Sequence, residues 1–186
     1  SFINGGIARS GNRALTMDAW LYYQPGVNDS LTATFNLSGY NANTDEIRLD
    51  FWYKNHRQIN VSTNRVWIRG DDTRDWLEVY NLYANQNPAT ASYKFTGSIE
   101  ISDFLRNATP SAQNFSSSFQ VRWGTFAQMM TADNFSGAGY TFDDIRIYKV
   151  TDDMAMLSID TPYVNNCGLN ATTPISDREF YFAELP

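Results

Sequence analysis

Apolar and polar residues alternate with a period of two through most of this chain. Over residues 47–54, Ile47, Leu49, Phe51 and Tyr53 fall on one side while Arg48, Asp50, Trp52 and Lys54 fall on the other, the pattern of a strand with one face on a core. Leu31, Ala33, Phe35 and Leu37 alternate with Thr32, Thr34 and Asn36 and run into Ser38-Gly39. Residues 14–20 read as a strand ended by Pro25-Gly26. Val66 and Ile68 are opposed by Arg65, Trp67 and Arg69, and an acidic turn then leads into residues 76–80, which predicts a hairpin. Ile99 and Ile101 predict a further strand, followed by one helical turn over 102–106 with Ser102 as its cap. Phe119, Val121 and Trp123 alternate with Ser118, Gln120 and Arg122.

Nothing long carries a 3.6-residue period. Many short antiparallel strands with almost no helix predict an all-β, two-sheet antiparallel sandwich, because each half-apolar sheet must cover its inner face with another. A jelly roll is the favoured form. The character changes after Val150. Thr151-Asp152-Asp153 reads as a linker and residues 154–159 as a new strand, so the expected organisation is a domain over 1–150 and, over 151–186, a linker with a truncated second module or an extension.

The last strand of the domain, residues 139–148, carries the most informative polar residue. With Ile145 and Ile147 facing the core, strict alternation puts Asp143 on the same inner face and Asp144, Arg146 and Tyr148 outside. A carboxylate aimed inward needs a cation, an arginine or several backbone N–H groups, since burying it unpaired costs several kcal/mol.

Composition narrows the function classes. The 186 residues include 15% aromatics, a high share that suits strands and binding faces. A net charge of −6 and a pI near 4.6 exclude the basic surface that nucleic acid or an anionic membrane would require. No run of 18 apolar residues offers a membrane span. Cys167 is the only cysteine and His56 the only histidine, which excludes multi-cysteine metal sites, multi-imidazole zinc sites and an internal disulfide framework. Cys167 is either a small buried residue or half of a disulfide with a mate beyond Pro186. A glycoside hydrolase would need two carboxylates about 5–9 Å apart across a cleft. No glutamate motif supplies them, although Asp50 and Asp143 could still meet in space. The chain is therefore read as non-catalytic. Asn28, Asn36, Asn60, Asn107, Asn114, Asn134 and Asn170 stand in Asn-X-Ser/Thr contexts, either glycan acceptors of a secretory chain or plain polar turns.

Four motifs in order resemble one family: residues 10–17 (SGNRALTM), 48–54 (RLDFWYK), 119–124 (FQVRWG) and 140–147 (YTFDDIRI). Together they are similar to the MAM-like jelly rolls, and closest to the cleaved-adhesin type of large secreted and surface proteins of gliding bacteria. The resemblance covers residues 1–150. It implies an extracellular or cell-surface adhesion module without catalysis, whose partners are a surface polysaccharide or cell-surface protein and neighbouring modules of the same polypeptide. The tail from Asp153 to Cys167 is similar to the opening of the Ig-like modules that often follow. The paired cysteines of animal MAM domains are missing. Modules that resemble this one often hold a structural calcium, for which Asp143, Asp144 and a loop carbonyl near Asn12 are the candidate ligands; the competing reading pairs Asp143 with an arginine or backbone N–H groups.

The outward residues Arg48, Trp52, Arg65, Trp67, Arg69, Arg122 and Tyr148 would line one face if their strands are neighbours. Flat aromatics stack on sugar rings and arginines fork to hydroxyls or carboxylates, so this set suits an acidic or neutral glycan; the alternative is cross-strand pairing that merely covers a sheet. Arg69-Gly70-Asp71 spells the integrin tripeptide, but a hairpin turn needs such residues anyway. Asp71, Asp72 and Asp75 lack the spacing of a calcium loop and read as a solvated turn.

Overall fold

The computed structural model describes residues 2–4, 7–18, 27–56, 61–84, 92–127, 139–151, 154–159 and 180–184. The elements in chain order are β1 (Phe2–Asn4), β2 (Ala14–Asp18), β3 (Val27–Phe35), β4 (Ile47–His56), β5 (Arg65–Arg69), β6 (Leu77–Asn81), β7 (Lys94–Phe95), β8 (Ile99–Glu100), α1 (Ile101–Arg106), β9 (Phe119–Ala127), β10 (Gly139–Lys149), β11 (Met154–Ile159) and β12 (Phe180–Glu184). Cys167, Asn60, Asn134, Asn170, Trp20, the Pro25-Gly26 turn and the Asp152-Asp153 linker lie outside the described residues.

The chain divides into two compact units, Ser1–Lys149 and Val150–Pro186. In the first, one sheet runs β1-β2-β10-β4-β7 with β8 also on β4, and a second runs β3-β9-β5-β6. Every pairing between these strands is antiparallel. The two sheets pack face to face as a β-sandwich. In the second unit β11 and β12 form an antiparallel ribbon. The 154–159 strand is thus present, and it pairs with residues 180–184, for which the sequence reading named no element.

The core forms where the alternation predicts. Ile47, Leu49, Phe51 and Tyr53 of β4 are buried, as are Val66 and Ile68 of β5 and Phe119, Val121 and Trp123 of β9. Phe51 is the hub. Its ring centroid lies 6.0 Å from Tyr53, 6.0 Å from Tyr80, 6.1 Å from Trp123 and 5.9 Å from Phe142, three of these contacts being edge-on. Edge-to-face pairs of this kind add about 0.5–1.5 kcal/mol each beyond their buried area. Trp123 and Tyr80 come from the opposite sheet, so these rings join the two layers. Burial drives the Tyr53 hydroxyl pKa far up, with Tyr80 as the next cause, so Tyr53 stays a neutral hydrogen-bonding group.

Two local expectations are corrected. Strand β8 is only two residues long, and Ile101 opens α1. Ser102 is inside the first turn and does not cap the helix; its buried hydroxyl accepts the Ile47 N–H at 2.8 Å and donates to the Asp45 carbonyl at 2.7 Å, tying α1 to the start of β4.

The larger correction concerns β10. Its pairing with β4 runs in register from Gly139↔His56 to Asp143↔Trp52, then shifts and resumes at Arg146↔Asp50. Asp144 occupies this β-bulge with φ of +50°, a left-handed conformation that aspartate tolerates better than most residues. One extra residue reverses the phase of the strand. Tyr140 and Phe142 are buried in the core before the bulge, and Ile145 and Ile147 pack against it afterwards. Asp143, expected inside with the isoleucines, stands beside Trp52 on the outer face.

Candidate functional site

The seven outward candidates do not share a face. Register places Trp67 opposite Arg122 and Arg69 opposite Gln120 on the four-stranded sheet, whereas Arg48 lies opposite Tyr148, and Trp52 opposite Asp143 and Phe95, on the six-stranded sheet. The expectation of one continuous surface is therefore overturned, because β4 and β5 belong to different layers and their outer faces point away from one another.

On the six-stranded sheet the candidates are occupied by their neighbours. Arg48 pairs with Glu46 and donates to Ser98 Oγ at 3.3 Å. The Tyr148 hydroxyl lies 2.7 Å from the same Ser98 oxygen. Trp52 has the Arg9 guanidinium 3.7 Å above its ring and Phe95 at 5.1 Å beside it.

The four-stranded sheet is different. Its outer face holds a groove of about 290 Å³ lined by Asn28, Asp29, Ser30, Thr63, Trp67, Trp76, Arg122 and Gly124. That volume is at the lower end of small-ligand sites, about 300 Å³. The strand alternation that buries Val66, Ile68, Val121 and Trp123 sends Trp67, Arg122 and Gly124 outward. Gly124 has no side chain because the Trp67 indole lies there: a Cβ on Gly124 would sit 2.6 Å from Cζ3 and 2.9 Å from Cη2 of that ring, and 2.5 Å from the Thr63 carbonyl oxygen. Trp76, just before β6, carries the Arg122 guanidinium at 3.9 Å and the Arg69 guanidinium at 4.4 Å. Cross-strand bonds hold both arginines: Arg69 Nε donates to Gln120 Oε1 at 2.7 Å, and Arg122 Nε to Thr32 Oγ1 at 3.2 Å. Thr63 Oγ1 donates to Asn28 Oδ1 at 3.0 Å and ties the β5 approach to edge strand β3.

Of the four predicted ligand residues on this sheet, Trp67 and Arg122 line the groove and Arg69 supports it through Trp76. Arg65 has a structural role, bridging Glu78 at 3.0 Å and donating to Asn81 Oδ1 at 2.9 Å. Sequence reasoning missed Trp76, Asn28, Asp29, Ser30 and Thr63. The one available signal was Gly124, since a glycine at an outward strand position marks a close approach.

Asp143 and Asp144, the calcium candidates, close on the loop preceding β2. Asp143 Oδ2 accepts the Arg9 N–H at 2.7 Å and the Ser10 N–H at 3.2 Å, and its Oδ1 accepts the Asp144 N–H at 2.8 Å. Asp144 takes Arg9 Nη1 at 2.6 Å and the Ser10 hydroxyl. The Tyr93 hydroxyl donates to the Ile7 carbonyl of the same loop at 2.5 Å, and burial followed by the two carboxylates pushes its pKa up to about 12. All four carboxylate oxygens therefore face donors, and Asn12 stands exposed in the turn without a contact to them. This arrangement does not fit a hard cation, which would have to displace the Arg9 guanidinium, the Ser10 hydroxyl and three backbone N–H groups. It is a latch made from one of the three partner types expected for Asp143, backbone N–H groups.

The Ser10 hydroxyl, then Arg9, holds the Asp144 carboxyl below the usual carboxylate range. A depressed folded pKa contributes stability above the unfolded value near 4, and that contribution disappears as pH falls through the folded value. Asp144→Asn, which keeps the tolerance for positive φ, is expected to melt below the parent at pH 7, with the gap closing below about pH 4 and no response of either protein to a chelator. A gap independent of pH would show that the latch carries no charge dependence, and a melting point lowered by chelator would restore the cation.

The remaining motifs are accounted for locally. Gly70 of Arg69-Gly70-Asp71 is buried with its N–H on Gln113 Oε1 at 2.8 Å, and a Cβ there would meet the Asn114 carbonyl oxygen at 2.3 Å, so the tripeptide is built into a strand end. Asp71 accepts the Thr73 N–H at 2.8 Å and hydroxyl at 2.6 Å, which folds the acidic turn on itself and lowers its pKa. His56 Nε2 lies 2.6 Å from Thr141 Oγ1. Asp50 is clasped by Arg146 through two bonds of 2.8 and 2.7 Å. Comparisons with protein-family models, curated proteins and solved structures found no match to this chain.

Proposed function

We propose that Ser1–Lys149 is a non-catalytic glycan-binding module of an extracellular or cell-surface protein, with the Trp67–Trp76 groove as its ligand site. One observation carries this reading: two indoles, Trp67 resting on Gly124 and Trp76 beneath Arg122, line one recess together with Asn28, Asp29, Ser30 and Thr63. Sugar rings combine apolar C–H faces with hydroxyl edges, and such a site offers a surface for each. The resemblance to MAM-like adhesin modules agrees with a binding role, as does the engagement of Asp50 and Asp143 by donors. On the same reading the tail begins a neighbouring module.

Trp67→Ala and Trp76→Ala are each expected to weaken retention on surface polysaccharide by about tenfold or more in affinity electrophoresis, as loss of one aromatic contact would do. Trp52→Ala, on the opposite sheet, should leave retention unchanged while the protein stays folded by circular dichroism. Equal losses in all three variants would remove the groove from the account, and no retention of any polymer by the parent would make the module a spacer.

A further inference from the structure

Resting on the glycan reading of the groove, we propose that the sugar it takes carries a carboxylate, as uronic acids do, and that the Arg122 guanidinium receives it. The strand arginines Arg48, Arg65 and Arg146 are each ion-paired, with Glu46, Glu78 and Asp50. Among the described residues Arg69 and Arg122 have no carboxylate within 4.0 Å, although the chain carries 20 acidic residues against 14 basic ones. Each uses its Nε on a neutral oxygen, and both stack on one indole, Trp76. The Nη groups of Arg122 donate to no other described residue, yet the Thr32 bond and the Trp76 face fix the plane of the fork. Two like charges on a shared ring repel one another: burial, then Arg69, lowers the Arg122 pKa. An anion at the fork relieves that repulsion and makes charge-assisted, bidentate bonds, which are stronger than neutral ones.

The rest of the lining gives the ligand a direction. Ser30 and Asn28 are two and four residues along β3 from Thr32, the partner of Arg122, so they share its outward face, about 7 and 13 Å away along the strand. Asp29, opposite Thr125, alternates away from that face, and its Oδ1 accepts the Ser30 N–H at 2.8 Å. The carboxylate of the sugar thus belongs at the Arg122 end, and its hydroxyls at the Asn28–Ser30 end, where the outward side chains of β3 are neutral.

The test uses polygalacturonate, alginate and hyaluronan, each beside its carboxyl-reduced form, in affinity electrophoresis at two salt concentrations with the protein, Arg122→Gln and Trp67→Ala. At least one acidic polymer should be retained about tenfold or more tightly than its reduced form, with the difference shrinking in high salt. Arg122→Gln should bring the acidic polymer down to the level of the reduced one, and Trp67→Ala should weaken both. Equal retention of acidic and reduced polymers, or equal losses of both in Arg122→Gln, overturns the charge assignment alone. Retention of no polymer by the folded protein overturns the glycan reading and the charge assignment together.

Discussion

Trp123→Ala should lower the free energy of unfolding by about 3–5 kcal/mol, the usual cost of removing a large buried aromatic. Trp123 is 1% exposed and sits on β9, which pairs with both β3 and β5. Its ring meets Phe51 at 6.1 Å and Phe142 at 6.2 Å, both from the opposite sheet. Truncation would leave a cavity on the seam between the layers, walled by aromatic rings on rigid strands that cannot close over it. The indole N–H makes the prediction sharper. Nε1 is buried and finds no acceptor among the described residues, and an unsatisfied buried donor costs about 1–3 kcal/mol. Trp123→Phe keeps a ring in the seam and removes that donor, so it should stay within about 1 kcal/mol of the parent. Urea unfolding with an unchanged slope would measure both variants. A loss under about 1 kcal/mol for the alanine variant would mean that this seam does not hold the layers together.

Gly124→Ala is expected to be the most damaging single-methyl change to the groove. The new Cβ meets the Trp67 ring at 2.6 Å and the Thr63 carbonyl oxygen at 2.5 Å, distances that real Cβ atoms do not show. The indole can rotate away at the expense of its place in the groove. The carbonyl is backbone and must shift with its segment. Overpacking of this kind costs about 1–3 kcal/mol, and displacement of the indole should weaken polysaccharide retention as much as Trp67→Ala does. A double-mutant cycle separates the two collisions. In the Trp67→Ala background, Gly124→Ala should cost clearly less than in the parent, the remainder being due to Thr63. Additive losses would show that the ring does not rest on Gly124.

The sandwich was legible because its signal is local. A strand with one buried face must alternate, and Ile47–Tyr53, Val66–Ile68 and Phe119–Trp123 do so, which sufficed for two antiparallel layers without any knowledge of which strand pairs with which. Two kinds of information were not local. The pairing order was one: alternation marks Arg48, Trp52, Arg65, Trp67, Arg69, Arg122 and Tyr148 as outward but is silent on which layer each belongs to, so a single expected surface became two. The other was the phase of β10. The bulge at Asp144 inserts one residue, and a period-two pattern cannot survive an odd insertion, so Asp143 moved from the expected core to the outer face and became a clasp for Arg9 and Ser10. The groove depends on the first kind. Trp76 lies before its strand and Asn28 on an edge strand far away in sequence, and only the β3-β9-β5-β6 order brings them beside Trp67 and Gly124. The chain by itself determined which faces are apolar, since hydrophobic burial is decided residue by residue. Tertiary structure decided which polar faces meet, because hydrogen-bond register and loop closure act between segments that the sequence holds apart.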